Sequence, residues 1–328
     1  MNYAVIGTGY WGSNHARVAA ELREEGTIEN VVLCDIEEER VSELADSYDV
    51  SYTTDYTELG DLGVDAATVA TPSPSHHEIA TELLEDGVNC LVEKPLALTS
   101  EEAWDIVDTA EREGRTLGVG HIFRYHPALR ELKKRIDRGE LGRIKYVNTN
   151  RFSFRVPRET AGVLYSLAVH DVDISNYLLD SEPTSIYCNL DCHIRDDIDE
   201  TATIVMEYEN ATSVINESWQ IPVFGKRRDL TVVGSEQVAY LDYLEDTVVE
   251  LYDAAVTSRD GELRTRDEGK QVYETERCEP LKVEAEEFLE ACQSGGQPAA
   301  SGEVGARTTE LLECCRLSSD EGHVIRFG

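Results

Sequence analysis

Lysine is almost missing from this chain. Seven residues of 328 carry it (Lys94, Lys133, Lys134, Lys145, Lys226, Lys270 and Lys282), so 23 of the 30 cations are arginine, against 65 acidic side chains and a formal charge of −35. A shortage of positive charge on this scale excludes phosphate backbones and anionic membrane surfaces as partners. Aromatics are sparse too, at 7%. An acidic, lysine-poor surface stays hydrated where molar salt screens charge repulsion within about 3 Å, so a salt-adapted, halophilic protein is expected. No window approaches the ~20 apolar residues of a membrane span. The opening Tyr3-Ala-Val-Ile-Gly-Thr-Gly lacks the basic leader and apolar stretch of an export signal. The expected location is the cytoplasm. None of the eight cysteines (Cys34, Cys90, Cys188, Cys192, Cys278, Cys292, Cys314, Cys315) forms a CxxC pair, and most lie in apolar segments. Buried reduced thiols and no metal are the expectation.

What is present is a folding sequence. Hydrophobic residues make up 41%, enough for real cores. At about 150 residues per domain, the length suggests two. Strand-like and helix-like segments alternate at short intervals through residues 1–120. This pattern implies a doubly wound parallel sheet covered on both faces, with right-handed crossovers. From 121 to 328 long period-two segments, such as Ile144 to Phe154 and Thr201 to Tyr208, replace that rhythm around helices at Ala128 to Arg138 and Leu167 to Leu179. They imply one large, mostly antiparallel sheet, with two closing helices at Leu281 to Ser294 and Glu303 to Ser318.

Gly7-Thr8-Gly9-Tyr10-Trp11-Gly12 is a G-x-G-x-x-G loop placed after the first strand and opening the first helix. Its glycines suit a tight turn, backbone approach to a pyrophosphate and close packing, while the helix N-terminus attracts the negative charge. Asp35 ends the second strand, where a carboxylate accepts hydrogen bonds from an adenosine ribose and repels a 2′-phosphate. Ile36 and Glu37 offer no compensating cation, so NAD is favoured over NADP. Two further loops leave the carboxyl ends of strands, where open α/β sheets place ligands: Thr71-Pro72-Ser-Pro-Ser-His76, and Glu93-Lys94-Pro95. Lys94 stands out in a chain that avoids lysine. Beside a nicotinamide and shielded from water its pKa would fall, fitting it to exchange a proton with a substrate hydroxyl. A surface cation pairing with Glu93 is the plainer alternative.

These four features, the Gly7 loop, Thr71 to His76, Glu93-Lys94-Pro95 and the later Leu167-Ala-Val-His170-Asp-Val-Asp173 run, together resemble the Gfo/Idh/MocA family (glucose-fructose oxidoreductase, inositol dehydrogenase, rhizopine catabolism) across nearly the whole chain. The resemblance implies a Rossmann domain followed by an α/β domain whose open sheet forms oligomer contacts, as a homodimer or homotetramer. It implies hydride transfer between NAD(P) and a secondary alcohol of a sugar or cyclitol. By the same resemblance Gly7, Gly9, Tyr10, Trp11, Gly12, Asp35, Thr71, Pro72, His76, Glu93 and Lys94 hold the cofactor, Lys94 handles the reacting hydroxyl and its proton, and His170 is the catalytic histidine. Many members carry an aspartate four residues before that histidine; this chain has Ser166. Asp173, one turn beyond His170, is a candidate to orient its imidazole.

The segment Gly120-His121-Ile-Phe-Arg124-Tyr125-His126-Pro127 looks like that of members acting on nucleotide-linked sugars, which oxidise the 3-hydroxyl of a UDP-linked N-acetylhexosamine or its uronic acid. Arg124 and Arg151 could then meet a diphosphate bidentately, with ion pairing on an acidic surface the equal alternative. A free aldose, a cyclitol, or a catalytically weak NAD-binding regulatory role stay open.

Overall fold

The computed structural model describes residues 1–158, 161–222, 225–259 and 261–327. The first elements are β1 (Asn2–Ile6), α1 (Tyr10–Glu24), β2 (Asn30–Cys34), α2 (Glu38–Tyr48), β3 (Ser51–Thr53), β4 (Ala66–Val69), α3 (His76–Glu85), β5 (Asn89–Val92), α4 (Ser100–Glu113) and β6 (Leu117–Val119). There follow α5 (Pro127–Asp137), β7 (Ile144–Ser153), α6 (Val169–Leu179), β8 (Ser185–Asp191), β9 (Thr201–Glu207), β10 (Thr212–Ser218), β11 (Lys226–Gly234), β12 (Val238–Asp242), β13 (Val248–Arg259), β14 (Glu262–Glu274), α7 (Pro280–Ser294), α8 (Gly302–Glu321) and β15 (Ile325–Arg326).

The chain divides into two compact units, Met1–Ile122 with Glu279–Glu310, and Phe123–Cys278 with Leu311–Gly328. The expected break near residue 120 lies close to the first crossing, but the second half does not stay together as 121–328. Residues 279–310 return to the first unit because α7 carries an apolar stripe, Leu281, Ala285, Phe288 and Leu289, that packs with Tyr3, Val5, Leu33 and Leu91.

In the first unit six parallel strands run in the order β3-β2-β1-β4-β5-β6. Strands β1, β4 and β5 are buried along almost their whole length, which is why they read as continuous apolar runs rather than alternating ones. In the second unit nine strands form a mixed sheet, β14-β13-β12-β11-β7-β10-β9-β8-β15, in which only the β7–β10 pair is parallel. One face is covered. Ala128, Leu129 and Leu132 of α5 and Ile174 and Leu178 of α6 pack on Val147, Leu230, Val232 and Leu241, and Leu311, Leu312 and Cys315 of α8 pack near Ile204, Met206 and Ile215. Strand β14 escapes the period-two reading because its sequence is polar on both faces and almost wholly exposed.

Candidate functional site

The glycine loop is built by sterics. Gly7 has φ 85° and a Cβ there would stand 2.8 Å from the Ala70 carbonyl oxygen, while a Cβ on Gly12 would fall 1.6 Å from the Gly7 carbonyl oxygen. At Gly9 a Cβ would meet nothing within 4 Å. Gly9 is the N-cap of α1, and the first turn of that helix carries no acidic side chain. An uncovered helix N-terminus beside an open backbone position is what a pyrophosphate needs, so these residues fit the dinucleotide. Tyr10 and Trp11 project from the same turn, exposed, their rings edge to face at 5.8 Å.

Asp35 is buried at the end of β2 and accepts four hydrogen bonds: Thr8 N at 2.6 Å, Thr8 Oγ1 at 2.8 Å, Glu37 N at 3.0 Å and Arg40 Nη2 at 2.6 Å. Burial alone would raise its pKa; the Arg40 guanidinium and the backbone donors outweigh that and hold the carboxyl below its usual range. Arg40 is a cation the sequence reading did not place here. It stands one turn into α2, so only the helix brings it back over the strand end.

His76 is buried and ties the two ligand-side loops together, with Nε2 2.9 Å from the Thr71 carbonyl oxygen and Nδ1 2.9 Å from that of Pro95. Burial pushes its imidazole below the usual range; the neutral ring donates from one nitrogen at a time. Pro72 starts the short turn Ser73–Ser75 that leads into α3, and the Lys94–Pro95 bond is cis. Lys94 is half-buried, and its backbone N–H donates to Glu93 Oε2 at 3.1 Å. Glu93 Oε1 meets Nε2 of buried His15 at 2.9 Å. Burial raises the Glu93 pKa, but the His15 contact and the Lys94 charge more than reverse it, so this half-buried carboxyl is held ionised. A residue that sequence reasoning missed lies behind it. Glu284 of α7 is fully buried, neither carboxyl oxygen has a partner among the described residues, and burial with the Glu93 charge raises its pKa well above normal. Its signal was available, a glutamate inside the apolar stripe of α7.

In the second unit, Ser166 lies in a π-helical turn, Leu164–Ala168, just ahead of α6, and its hydroxyl donates to the Ala161 carbonyl at 3.4 Å. His170, in the first turn of α6, sets its ring edge-on to Phe123 at 4.9 Å. The structure pairs Asp173 with Arg124: Nε lies 2.9 and 3.0 Å from the two carboxylate oxygens, and Nη2 lies 2.7 Å from Oδ1. Arg151 is 2% exposed and ion-paired to fully buried Asp171, with its guanidinium 4.2 Å from the centre of the Phe123 ring and 4.8 Å from that of Tyr243. For both arginines the ion-pair alternative therefore describes the contacts seen. Arg151 is deeply buried and Arg124 half-buried, and each holds its carboxylate through two nitrogens. Glu217, also fully buried, has its pKa raised by burial and by the neighbouring Asp171.

A family model described as "Oxidoreductase family, NAD-binding Rossmann fold" matches residues 1–121, and one for the GFO/IDH/MocA C-terminal domain matches 129–240. The chain belongs to the Gfo/Idh/MocA oxidoreductase family. It is an NAD-binding oxidoreductase. The chain is 28% identical, over 94% of its length and 93% of the relative's, to a UDP-N-acetylglucosamine 3-dehydrogenase of Acidithiobacillus ferrooxidans. A solved structure of a UDP-N-acetylglucosamine 3-dehydrogenase from that organism superposes with a TM-score of 0.84 over 98% of each chain at 24% identity. Similarity also reaches a scyllo-inositol 2-dehydrogenase (NAD(+)) of Bacillus subtilis strain 168, 30% identical over 62% of this chain and 63% of the relative. A levoglucosan dehydrogenase in complex with NADH shares the fold at TM-score 0.87 over 100% of this chain and 99% of that one, at 20% identity. No helix among the described residues is long and apolar enough to cross a membrane.

Proposed function

We propose that this oxidoreductase oxidises a secondary hydroxyl of a sugar, the 3-hydroxyl of a UDP-linked N-acetylhexosamine or its uronic acid. The observation that carries the reading is the likeness to the UDP-N-acetylglucosamine 3-dehydrogenase over nearly the full length of both chains. When bound, NAD supplies the hydride acceptor. Gly7, Gly9, Gly12 and the α1 N-terminus receive the pyrophosphate, and Asp35 the adenosine ribose. Lys94 takes the proton of the substrate hydroxyl; ionised Glu93, fixed by His15 and the Lys94 backbone, keeps the loop in place. His170 hydrogen-bonds the same hydroxyl, its ring held edge-on by Phe123. Ser166 contacts substrate or an ordered water where many family members place a carboxylate. Oligomerisation through the uncovered face of the nine-stranded sheet, on which Tyr146 and Tyr187 are exposed, gives a homodimer or homotetramer, to be read by light scattering.

The inositol dehydrogenase likeness supports a free cyclitol or aldose as the second reading. An NAD-reduction screen in molar KCl with UDP-sugars, free aldoses and inositols, on wild type, Lys94→Ala and His170→Ala, separates them. Turnover of UDP-N-acetylhexosamines that falls by several orders of magnitude in Lys94→Ala supports the proposal. Turnover restricted to free sugars selects the second reading. Intact NAD binding with no turnover on any of them leaves a regulatory NAD-binding protein. Ser166→Asp tests the departure at that position: higher turnover means the serine weakens ordinary family chemistry, lower turnover that it belongs to a different substrate.

A further inference from the structure

Among the described residues, Arg228 is the one lysine or arginine side chain withdrawn from solvent that has neither a hydrogen bond nor an ion pair. In a chain with more than twice as many acids as bases, a half-buried cation left without a carboxylate needs a reason. Strand register gives its surroundings. Glu217 of β10 lies opposite Arg151 of β7, Arg151 opposite Arg228 of β11, and the backbone of Arg228 accepts from Tyr243 N–H at 2.8 Å. Glu217, Arg151, Arg228 and Tyr243 therefore form one row across the covered face of the sheet, with Asp171 of α6 set against it.

Asp171 is already ion-paired with Arg151. The row thus holds two guanidinium groups, of which only Arg151 has an ion-pair partner among the described residues. Burial and the Arg151 charge lower the Arg228 pKa by more than the Asp171 and Glu217 carboxyls raise it. A second orphan donor stands beside it: Tyr243 is 7% exposed and its hydroxyl has no partner among the described residues. The row also adjoins the surroundings of His170, since the Phe123 ring lies 4.9 Å from His170, 5.2 Å from Tyr243 and 4.2 Å from the Arg151 guanidinium.

We propose that Arg228, with the Tyr243 hydroxyl, is a subsite for an oxyanion carried by the substrate, either a phosphate or a carboxylate. This rests on the sugar-oxidising reading above and adds to it which residues receive the substrate's anionic group. The guanidinium offers a planar pair of donors suited to either group, and a bound oxyanion would give Arg228 the direct partner that it lacks. Specificity follows from the cost of leaving that cation unpaired: a neutral hexose or inositol would bury Arg228 further without answering its charge.

The test is equilibrium titration, by calorimetry in the KCl concentration that keeps the protein folded, of wild type, Arg228→Gln and Arg228→Lys. The probes are UDP for the phosphate arm, glucuronate for the carboxylate arm, methyl glucoside as a neutral control, and NAD. The expected result is a loss of roughly ten- to a hundredfold in affinity for one of the two anions in Arg228→Gln. That loss is partly restored in Arg228→Lys, with NAD affinity unchanged and ligand-free Tm unchanged or higher. Two outcomes overturn the proposal: wild type binding neither anion better than methyl glucoside, or Arg228→Gln losing NAD affinity and Tm together, which would make Arg228 a structural residue. Because these are binding readouts, failure to turn over any sugar would sink the dehydrogenase reading without deciding this one.

Discussion

Glu284 offers the sharpest test of how the first unit is assembled. Its carboxyl is fully buried, without a partner among the described residues, and faces the ionised Glu93, with Glu287 adding to the repulsion. Tyr3 feels its charge as well. A buried polar group with no partner costs about 1–3 kcal/mol, and leucine at that place would extend the apolar stripe of α7. Glu284→Leu should therefore stabilise the first unit by about 1–3 kcal/mol, a rise of a few degrees in the Tm of a unit this size. The pH dependence separates charge from packing. A glutamate whose folded pKa is raised binds its proton more tightly when folded, so the stability it gives is complete below the unfolded value of about 4.3 and is lost as pH rises towards the folded value. The slope reaches at most about 1.4 kcal/mol per pH unit. Urea unfolding of wild type, Glu284→Gln and Glu284→Leu from pH 5 to 9 in molar KCl, following the first unit's transition, reads both effects. The advantage of Glu284→Gln over wild type should grow with pH. A difference that stays flat from pH 5 to 9, or a Glu284→Leu protein less stable than wild type by more than about 1 kcal/mol, would mean that Glu284 has a partner in the folded state, and the reasoning would fail.

Four further outcomes are expected. Asp35→Ser should lower kcat/KM with NAD by about tenfold or more and raise it with NADP, because Arg40 would stay at the end of β2, where the proposal puts the adenosine ribose, without the carboxylate that it now pairs; unchanged cofactor preference would refute this. Asp171→Asn should destabilise the second unit by about 3–5 kcal/mol in urea unfolding, since Arg151 would be left as a buried charge without its counter-ion. His126 caps α5 as an acceptor for Leu129 N–H, and burial lowers its pKa to about 4; protonation favours the unfolded chain, so stability should drop as pH falls from about 6.5 to 4, and His126→Asn, which keeps a capping acceptor, should flatten that limb. Finally, unfolding in dilute buffer should reverse on adding molar KCl, and affinity for an anionic sugar should improve as salt screens the −35 charge; equal stability in both buffers would remove the salt-adaptation argument.

The Rossmann half was legible because each strand is short, buried and apolar, and because the glycine loop, Asp35 and the Glu93-Lys94-Pro95 turn all fall at strand ends that the pattern itself locates. The second sheet was legible where one face is covered: Thr201–Glu207 alternates buried and accessible positions as its sequence does. It was not legible in β14, where both faces meet solvent and no alternation is written. Partner choice was harder to read than element type. Nothing in the spacing of Arg124, Arg151, Asp171 and Asp173 says which cation takes which acid, because three-dimensional register decides it: Arg151 reaches Asp171 and Arg124 reaches Asp173. Arg40 was overlooked for a related reason, as only a helical turn returns it to Asp35. The destination of α7 was hidden because an apolar stripe shows that a helix packs, not against which core.

That destination has a bearing on synthesis. The side chains Val5, Leu33 and Leu91 rest against Phe288 and Leu289, so a nascent chain that has emerged as far as Ile122 still lacks the helix that closes one side of its own sheet. More than 150 further residues must leave the ribosome before that helix arrives. For that interval the growing dinucleotide-binding unit exposes an apolar strip, which is a chaperone target and an aggregation hazard. A fragment ending at Ile122 should collect in inclusion bodies, and supplying residues 279–310 in the same cell should bring part of it back into solution.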